Sequence, residues 1–553
     1  MSSDDSDAEG RKRFYPNVDT KIWLRTCQEV TEPISGKLSG SLPPWLQGTL
    51  VRNGPGGIRV GEDEFKHLFD ASAVLHRFRI KDGKVTYQNR YVASDAYKKN
   101  MAAKRIVVNE FGSYAHPDPC KSIFQRVFSR FSRDNIFTDN TNISVFPFHG
   151  RNDQVYALTE TPFLHRVDVE TLEHLQKEDL GKYISVMTHS AHLHNENNET
   201  YSLGLVAQCT GPKYAVIHFR RSEDTVDSVQ CSSPLSNPEI VGAAPSTYRM
   251  SPAYMHSFSL TEHFFVLIEQ PLTVYVPSVM RVHLLGEPLA NTLHWDQNGM
   301  TVIHLIDRAS GKEHVVKYVA KAFFFLHTIN AYEEDNHVVL DIVTFKDARM
   351  LDCMYTEALK NANYNPEYAS IFRGRPNRYV LPLIVPDVCE DGRNLVSLSN
   401  TKATAVFKVE KGCCCESKMV MLQPELLVPI GCEVPRINYD FNGRKYRYFY
   451  AMLADVDDEC PGSLVKVDVE SKTFVRWGEE NAYPSEPIFV PSPDNKDEDD
   501  GVILSAVLRA QGRDNEIALL ILDAKSWTEI GRVEFVSPGP ISKDLHGWFF
   551  PDD

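Results

Sequence analysis

A short unit, a histidine followed by a polar turn and then an apolar strand, recurs along this chain at a nearly constant spacing. Three copies have their histidines at His192, His256 and His327, which lie 64 and 71 residues apart. A fourth histidine, His546, lies 219 residues further on, which is three steps of 73. Equivalent positions at a fixed period are typical of repeat architectures, in which a closed array of small sheets brings them onto one axis. We therefore predict that the four histidines converge and form a metal site.

The copy around His327 illustrates why repetition matters. Residues 325–332 form a predicted apolar strand, residues 333–336 a polar turn and residues 337–341 a second apolar strand, which together predict a hairpin. A single histidine inside an apolar strand is more often a buried core residue than a metal ligand. The recurrence of the unit favours metal ligands, because a core histidine has no reason to recur at this period.

A second repeated pattern predicts the fold. Apolar residues, then Asp, then a few residues that include Ser, Thr or Gly, and then a return strand occur at 78–85, 167–172, 305–312, 467–472 and 522–527. Asp accepts hydrogen bonds within such a turn and Gly or Ser permits its tight backbone, so each copy predicts an outer hairpin of a sheet. At about 70 residues per sheet, the chain is predicted to be an all-β, seven-bladed β-propeller with helical and loop insertions that cap one face. One such helix is predicted at residues 356–362.

Composition limits the domain organisation and the partners. The chain has 553 residues, of which 24% are charged and 42% hydrophobic, and it contains no linker rich in Gly, Pro or Ser. We expect a disordered acidic segment at residues 1–15 and a single propeller domain at residues 16–553. The net charge of -15 disfavours binding to nucleic acid through a general electrostatic field.

The sequence also predicts a compartment. Residues 1–13 are polar and rich in acid, unlike a secretory signal or a mitochondrial transit peptide, and no window of 18 uninterrupted apolar residues is present. Eleven cysteines at irregular spacing indicate reduced thiols. We therefore expect a cytoplasmic protein that does not cross a membrane.

One insertion, near residues 117–133, has the pattern of a basic amphipathic helix, with its basic residues off the apolar face. In an acidic protein this pattern favours insertion into a membrane interface, and the alternative is a helix that packs on the propeller. Cys120 beside it is a candidate for acylation. The apolar face follows an i, i+1, i+4, i+5, i+8 pattern and consists of Ile123, Phe124, Val127, Phe128 and Phe131.

The donor set indicates which metal the histidines would hold. Imidazole suits Fe, Cu, Ni and Zn, and four histidines without a carboxylate leave the full dipositive charge on the ion. An octahedral ion would keep two positions open for ligands such as dioxygen, whereas a tetrahedral zinc would be closed, so we expect iron(II). Three glutamates in apolar, strand-like settings are candidates to accept the other N–H of the metal-bound histidines: Glu160, Glu433 and Glu486.

With these residues in view, the chain resembles the carotenoid cleavage oxygenase family over nearly its whole length. Residues 119–121 are similar to the animal branch of the family. The family usually has proline between the two histidines of its first histidine motif, where this chain has Leu193, and we expect a small local change with the metal retained. The motifs that carry the resemblance lie at residues 46–56, 67–70, 191–194, 255–258, 326–330, 484–490 and 545–547.

The resemblance implies a seven-bladed propeller in which the four histidines hold iron(II) and the three glutamates support them. It also implies oxidative cleavage of a conjugated C=C bond by dioxygen, with each fragment taking one oxygen atom as an aldehyde. No catalytic residue is expected beyond the iron centre, and Thr159, next to Glu160, is a candidate residue of the substrate tunnel.

Within the animal branch, we expect cleavage of the central double bond of a C40 carotenoid to retinal-type aldehydes. The expected partners are the carotenoid, dioxygen and a membrane surface to which the cytoplasmic protein binds peripherally. The alternatives are the same cleavage coupled to trans-to-cis isomerisation of one product, eccentric cleavage, retinyl-ester isomerohydrolysis, and a non-catalytic propeller that binds carotenoid. Motifs leave these open, because tunnel shape determines which bond is cut.

Overall fold

The computed structural model of the protein describes residues 11–119, 137–208, 210–221, 233–248, 250–386, 388–411 and 416–552. The predicted apolar helix face at residues 123–131 lies outside these described residues, as do Cys120 and residues 1–10. Tyr15 lies at the end of the segment that was expected to be disordered. It is buried, and its hydroxyl donates a hydrogen bond to the carbonyl of Pro366. The packed structure therefore already includes Tyr15.

The described strands form seven mainly antiparallel sheets of four to six strands, which confirms the predicted β-propeller. We number the sheets as blades in chain order. Blade 1 consists of Val30–Ser35, Lys84–Tyr91, Ser72–Lys81, Gly48–Gly57 and His546–Pro551. Blade 2 consists of His174–Asp179, Phe163–Val167, Val155–Leu158 and Ser144–Pro147. Blade 3 consists of Val186–His189, His194–Glu196, Glu199–Gln208, Gly211–Phe219 and Pro238–Pro245.

The other four blades follow in order around the ring. Blade 4 consists of Ser259–Leu260, Phe264–Glu269, Met300–Asp307, Tyr318–Lys321, Glu416–Gln423 and Thr404–Lys411. Blade 5 consists of Phe324–Glu334, His337–Phe345, Arg375–Pro382 and Glu425–Leu426. Blade 6 consists of Cys432–Ile437, Tyr448–Leu453, Leu464–Asp468 and Thr473–Trp477. Blade 7 consists of Ala482–Pro484, Ile488–Pro491, Gly501–Arg509, Glu516–Asp523, Thr528–Val536 and Lys37–Gly40.

The two ends of the chain close the ring together. In blade 1 the early strand Gly48–Gly57 pairs antiparallel with the last strand, His546–Pro551, and Asn53 lies opposite His546. The early strand Lys37–Gly40 completes the outer edge of blade 7. Sharing early and late strands in this way removes the open edges that an unclosed array of sheets would expose.

The predicted hairpins form where the turn residues indicated. In the hairpin that carries His327, the turn residues Asp335 and Asn336 have φ angles of 45° and 60°, the left-handed conformation that tight two-residue hairpins require. In blade 2 a carboxylate oxygen of Asp168 accepts hydrogen bonds from the backbone N–H groups of Glu170 and Thr171. The Asp-capped turns at 167–172 and 467–472 join the two outermost strands of blades 2 and 6, as predicted. In blades 1, 4 and 7 at least one further strand lies outside the corresponding turn.

Short helices and loops fill the insertions. The predicted helix at 356–362 is the α-helix Thr356–Lys360, which a 3₁₀ turn follows, and the apolar residues 272–277 divide into the strand Leu272–Val274 and the start of a helix. Within the described ranges, no helix has both the length and the apolar character needed to cross a bilayer. The other α-helices in the described parts of the chain are Asp95–Ala103, Val276–Leu285 and Tyr368–Phe372, and Leu272–Val274 pairs with Leu293–Trp295. The 3₁₀ helices are Thr20–Leu24, Leu68–Asp70, Phe148–Gly150, Leu180–Lys182, Leu289–Thr292, Ala348–Met354, Ala362–Tyr364 and Tyr439–Phe441, and the small hairpin Arg59–Val60 with Asp63–Glu64 lies outside the blades.

Apolar side chains fill the spaces between neighbouring blades. Phe550, in the last strand of blade 1, is 2% exposed and belongs to a cluster that includes Val51 of the same blade. Val145 and Ala157 of blade 2 belong to the same cluster. Phe550 therefore joins the closing strand to the next blade of the ring.

We expect Phe550→Ala to lower the free energy of unfolding by about 3–5 kcal/mol, because the substitution leaves a cavity where the ring closes. Denaturant unfolding followed by intrinsic fluorescence measures the effect. Phe474→Ala is the matched control, since Phe474 is 39% exposed on the outermost strand of blade 6 and its truncation leaves no such cavity. Equal losses in the two variants would contradict a special role for the closing strand.

Candidate metal centre

Each of the seven blades contributes one residue to a cluster on the axis of the propeller. The histidines lie on, or within a few residues before, the innermost strand of their blades, and the glutamates lie on or directly beside an inner strand. The 219-residue gap before the last histidine corresponds to three further steps around the ring, through blades 6 and 7 to blade 1. In the order of blades 1 to 7, the residues are His546, Glu160, His192, His256, His327, Glu433 and Glu486.

The four histidine rings face one another at close range. One ring nitrogen from each lies within 4.8 Å of those of the others, and the ring centroids are 4.6 to 5.0 Å apart in five of the six pairs. The Nε2 atoms of His192 and His256 are 3.0 Å apart. His256, His327 and His546 are buried, and His192 is partly exposed.

Three of the histidines donate a hydrogen bond from Nδ1 to a glutamate carboxylate. His256 Nδ1 lies 2.5 Å from Glu160 Oε1, and His327 Nδ1 lies 2.6 Å from Glu433 Oε2. His546 Nδ1 lies 2.8 Å from Glu486 Oε1. A carboxylate accepts hydrogen bonds, so each of these rings carries a proton on Nδ1, and Nε2 is the nitrogen that is available to a metal.

His192 is held through its backbone. Its N–H donates to the hydroxyl oxygen of Ser190 at 3.0 Å, and that hydroxyl donates to the carbonyl of His256 at 2.5 Å. Burial and the neighbouring histidines lower the pKa of His192 well below its usual value. Burial likewise lowers the pKa of His546 to about 4. Both rings are therefore neutral at physiological pH, as metal ligands must be.

These residues fit a metal ion. His327 Nε2 is buried and has no hydrogen-bond partner within the described part of the chain. Lone pairs of neutral imidazoles that face one another repel, and a cation between them removes that repulsion. Two imidazole nitrogens bound at right angles to a metal at about 2.1 Å would be about 3.0 Å apart, which is the separation measured between His192 and His256.

A β-bulge in blade 6 orients Glu433. Glu433 lies opposite Met452 and Arg436 lies opposite Tyr450, so the strand has one residue more than its partner between these two pairs. Val434, in the bulge, has a φ angle of 49°, which is rare for a β-branched residue, and its N–H donates to Glu433 Oε2. In a regular strand, residues three apart point to opposite faces, whereas the bulge turns both Glu433 and Arg436 toward the axis.

Several residues of the site were not found by sequence reasoning. The hydroxyl of Tyr254 donates to Glu160 Oε1 at 2.8 Å. Arg52 and Arg436 both donate to Glu486. Arg52 had a signal, since it is a charged residue that directly follows the apolar pair Leu50 and Val51. Tyr254 and Arg436 had none, because nothing local distinguishes them from other tyrosines and arginines.

Two other residues that the sequence analysis named, His194 and Thr159, are not among the seven residues of the cluster. His194, the second histidine of its motif, is not in the cluster: its Nε2 donates to the carbonyl of Phe258 at 2.9 Å, and its Nδ1 lies 3.2 Å from Asn442 Oδ1. It therefore ties the inner strand of blade 3 to blade 4. Thr159 is buried directly before Glu160, and its contact with a substrate stays a prediction.

A narrow cavity of about 100 Å³ adjoins the histidines along the axis. His192, His327 and His546 line one part of it, and Arg436 and Trp548 lie on its wall. The guanidinium of Arg436 is therefore next to the metal centre while its side chain remains 24% exposed.

Comparisons with known proteins identify the family of the chain. Residues 24–551 match the family described as RPE65, retinal pigment epithelial membrane protein. The chain belongs to this family. Relatives in the RPE65 family include the carotenoid isomerooxygenase of Galleria mellonella, which is 43% identical over 98% of this chain and 98% of its own length. The β,β-carotene 15,15'-dioxygenase of Mus musculus is 39% identical over 96% of this chain and 91% of its own length.

A solved structure has the same fold as this chain. The crystal structure of cobalt-substituted Synechocystis apocarotenoid oxygenase has a TM-score of 0.71 and covers 97% of this chain and 100% of its own. At 20% sequence identity, this likeness establishes the fold alone.

We expect Glu433→Gln to lower metal affinity by about 10- to 100-fold. A neutral amide accepts the Nδ1–H hydrogen bond of His327 more weakly than a carboxylate does, and it therefore orients the ring less well. Competition with a chromophoric chelator, followed by metal analysis of the protein, measures the change. Glu470→Gln is the control, since Glu470 lies on an exposed turn of blade 6. Unchanged metal retention in Glu433→Gln would show that the carboxylate has no part in binding.

Proposed function

We propose that the protein is an iron(II)-dependent dioxygenase that cleaves the central double bond of a C40 carotenoid to retinal-type aldehydes. The observation that carries the proposal is the group of four histidines whose ring nitrogens lie within 4.8 Å of one another. Four neutral ligands leave the dipositive charge of the ion uncompensated, and imidazole is a good ligand for iron(II). Relatives that are named carotenoid isomerooxygenase and β,β-carotene 15,15'-dioxygenase support the choice of substrate.

The residues of the site have defined tasks in this reaction. Iron(II), when bound, would supply the activation of dioxygen, and each carbon of the cleaved bond takes one oxygen atom. The conversion of one C=C bond and one O₂ into two C=O bonds balances without proton transfer. The three glutamates are accordingly engaged in holding the Nδ1 protons of His256, His327 and His546, and we assign no residue as a general acid or base.

We further propose that cleavage is coupled to trans-to-cis isomerisation of one product. The name of the Galleria mellonella relative, an isomerooxygenase at 43% identity, favours this coupling over simple cleavage. The dioxygenase of Mus musculus, at 39% identity, represents the uncoupled alternative.

Product analysis tests the reaction. We expect the iron-loaded protein, incubated in air with all-trans β-carotene or zeaxanthin in detergent micelles, to produce all-trans and 11-cis C20 aldehydes in equal amounts on isomer-resolving HPLC. All-trans product alone would show that cleavage is not coupled to isomerisation. Fragments of unequal length would show that the cleaved double bond is not the central one. The absence of product while iron is bound would favour retinyl-ester hydrolysis or carotenoid binding without chemistry.

His327→Ala separates an enzyme from a binding scaffold. We expect the variant to lose iron and all detectable cleavage, because the orphaned nitrogen of His327 is one of the four converging donors. A non-catalytic propeller would keep carotenoid binding and would have no activity to lose. Absorption spectra of bound carotenoid, recorded with the iron content of the same samples, distinguish the two.

We also propose that the protein binds membranes peripherally from the cytoplasm, where the described free cysteines would stay reduced. The helix Val276–Leu285 lies at an apolar surface, and the N–H of Val276 donates to the carbonyl of Met250. After the helix, the N–H of Ala290 donates to the carbonyl of Phe111, a few residues before the amphipathic insertion. Five apolar residues of this surface are 50% to 58% exposed: Tyr114, Met250, Tyr275, Met280 and Leu285. Such a patch suits a substrate that is dissolved in lipid.

We expect the double variant Met280→Asp, Leu285→Asp to lose most of its co-sedimentation with liposomes, because two charges would have to enter the interface. Val475→Asp is the control, since Val475 is 50% exposed on the outermost strand of blade 6. Undiminished sedimentation of the double variant would exclude this surface from membrane binding. Phe124→Asp with Phe128→Asp tests the amphipathic insertion in the same assay.

A further inference from the structure

The three glutamates of the metal centre have different electrostatic surroundings. Glu160 accepts hydrogen bonds from His256 and from the hydroxyl of Tyr254. Glu433 accepts them from His327 and from a backbone N–H. Within the described ranges, neither of these two carboxylates forms an ion pair with a lysine or an arginine.

Glu486 is instead held between two arginines. Arg436 Nε lies 2.7 Å from Glu486 Oε1, the same oxygen that accepts the hydrogen bond of His546. Arg52 Nη1 lies 2.9 Å from Glu486 Oε2, and Arg52 also pairs with Asp544. The two guanidinium groups therefore balance the two carboxylates, in a region where Arg52 and Glu486 are almost completely buried.

This difference changes how strongly the histidines donate to a metal. A carboxylate that accepts the Nδ1–H bond raises the basicity of the ring and so strengthens it as a ligand. Cations beside the carboxylate weaken that effect, because they compete for the same oxygen lone pairs. His546 should therefore be a weaker donor than His256 and His327.

Weaker donors and a nearby cation both favour the lower oxidation state of a metal. A trivalent ion gains more than a divalent ion from strong donors, and it is repelled more strongly by a neighbouring positive charge. Arg436 provides both effects, since it binds Glu486 and lies on the wall of the axial cavity that the histidines also line.

We propose that Arg436 is a positioning residue that balances the charge of Glu486 and thereby holds the metal in its divalent form. The inference rests on the proposed function, because it takes the metal to be iron. The same bulged strand of blade 6 thus supplies Glu433, which strengthens one histidine ligand, and Arg436, which weakens another.

The test is the iron(III)/iron(II) midpoint potential of the full-length, iron-loaded protein, measured by anaerobic spectroelectrochemical titration. Arg436→Gln removes the charge and keeps an amide that can reach Glu486. We expect it to raise the affinity for iron(III) relative to iron(II) about tenfold, which lowers the potential by about 59 mV for a one-electron couple. Arg436→Lys keeps the charge and should restore most of the wild-type potential.

Arg447→Gln is the matched control. Arg447 is 47% exposed, pairs with Asp468 and lies on the same blade, so its loss removes an equal charge without touching Glu486. We expect its potential to equal that of the wild type. Arg436→Met tests the same loss of charge if Arg436→Gln fails to fold by circular dichroism.

The outcomes separate this inference from the proposed function. A wild-type potential in Arg436→Gln, or in Arg436→Met where that variant takes its place, would overturn the role of Arg436. An equal shift in Arg447→Gln would overturn it as well. A wild-type protein that binds iron and cleaves carotenoid would leave the proposed function standing in that case. A wild-type protein that binds no iron would overturn the proposed function itself.

Discussion

The metal centre depends on one interaction that occurs three times, the hydrogen bond from a histidine Nδ1 to a glutamate carboxylate. Each such bond fixes the proton on the outer side of the ring and turns a lone pair toward the axis. Each also joins two different blades: His256 with Glu160 joins blades 4 and 2, and His327 with Glu433 joins blades 5 and 6. The site therefore exists only when the ring is assembled, which couples metal binding to folding.

Closure of the ring is the second condition for the site. The strand that begins with His546 is the last strand of the described residues, and it pairs with the early strand Gly48–Gly57. The side chain of Asn53, opposite His546, donates to the carbonyls of Thr141 and Ser144 of the next blade. The residues that bring the last histidine to the axis thus also hold blades 1 and 2 together.

The strained backbone at Val434 in blade 6 allows two side chains of one strand to face the metal centre. A β-branched residue in the left-handed region costs about 1–3 kcal/mol, and Val434 is held there because the surrounding strands pair on both sides of the bulge. The extra residue turns Glu433 and Arg436 to the same face. A regular strand could orient only one of them toward the metal centre, so the strain supports both ligand orientation and charge balance.

The sequence by itself determined the hairpins, the number of blades and the recurrence of the four histidines, because these depend on periods of a few residues or of one blade. It also predicted the hairpin of His327, whose turn at Asp335 and Asn336 is a local feature. Only the tertiary structure decided which glutamate accepts from which histidine and that His194 lies outside the cluster. Arg52 and Glu486 are 434 positions apart, and their contact forms only where the first and last strands of the ring meet. Local patterns cannot encode such a contact, since the distance between the two residues is decided by the closure of the whole propeller.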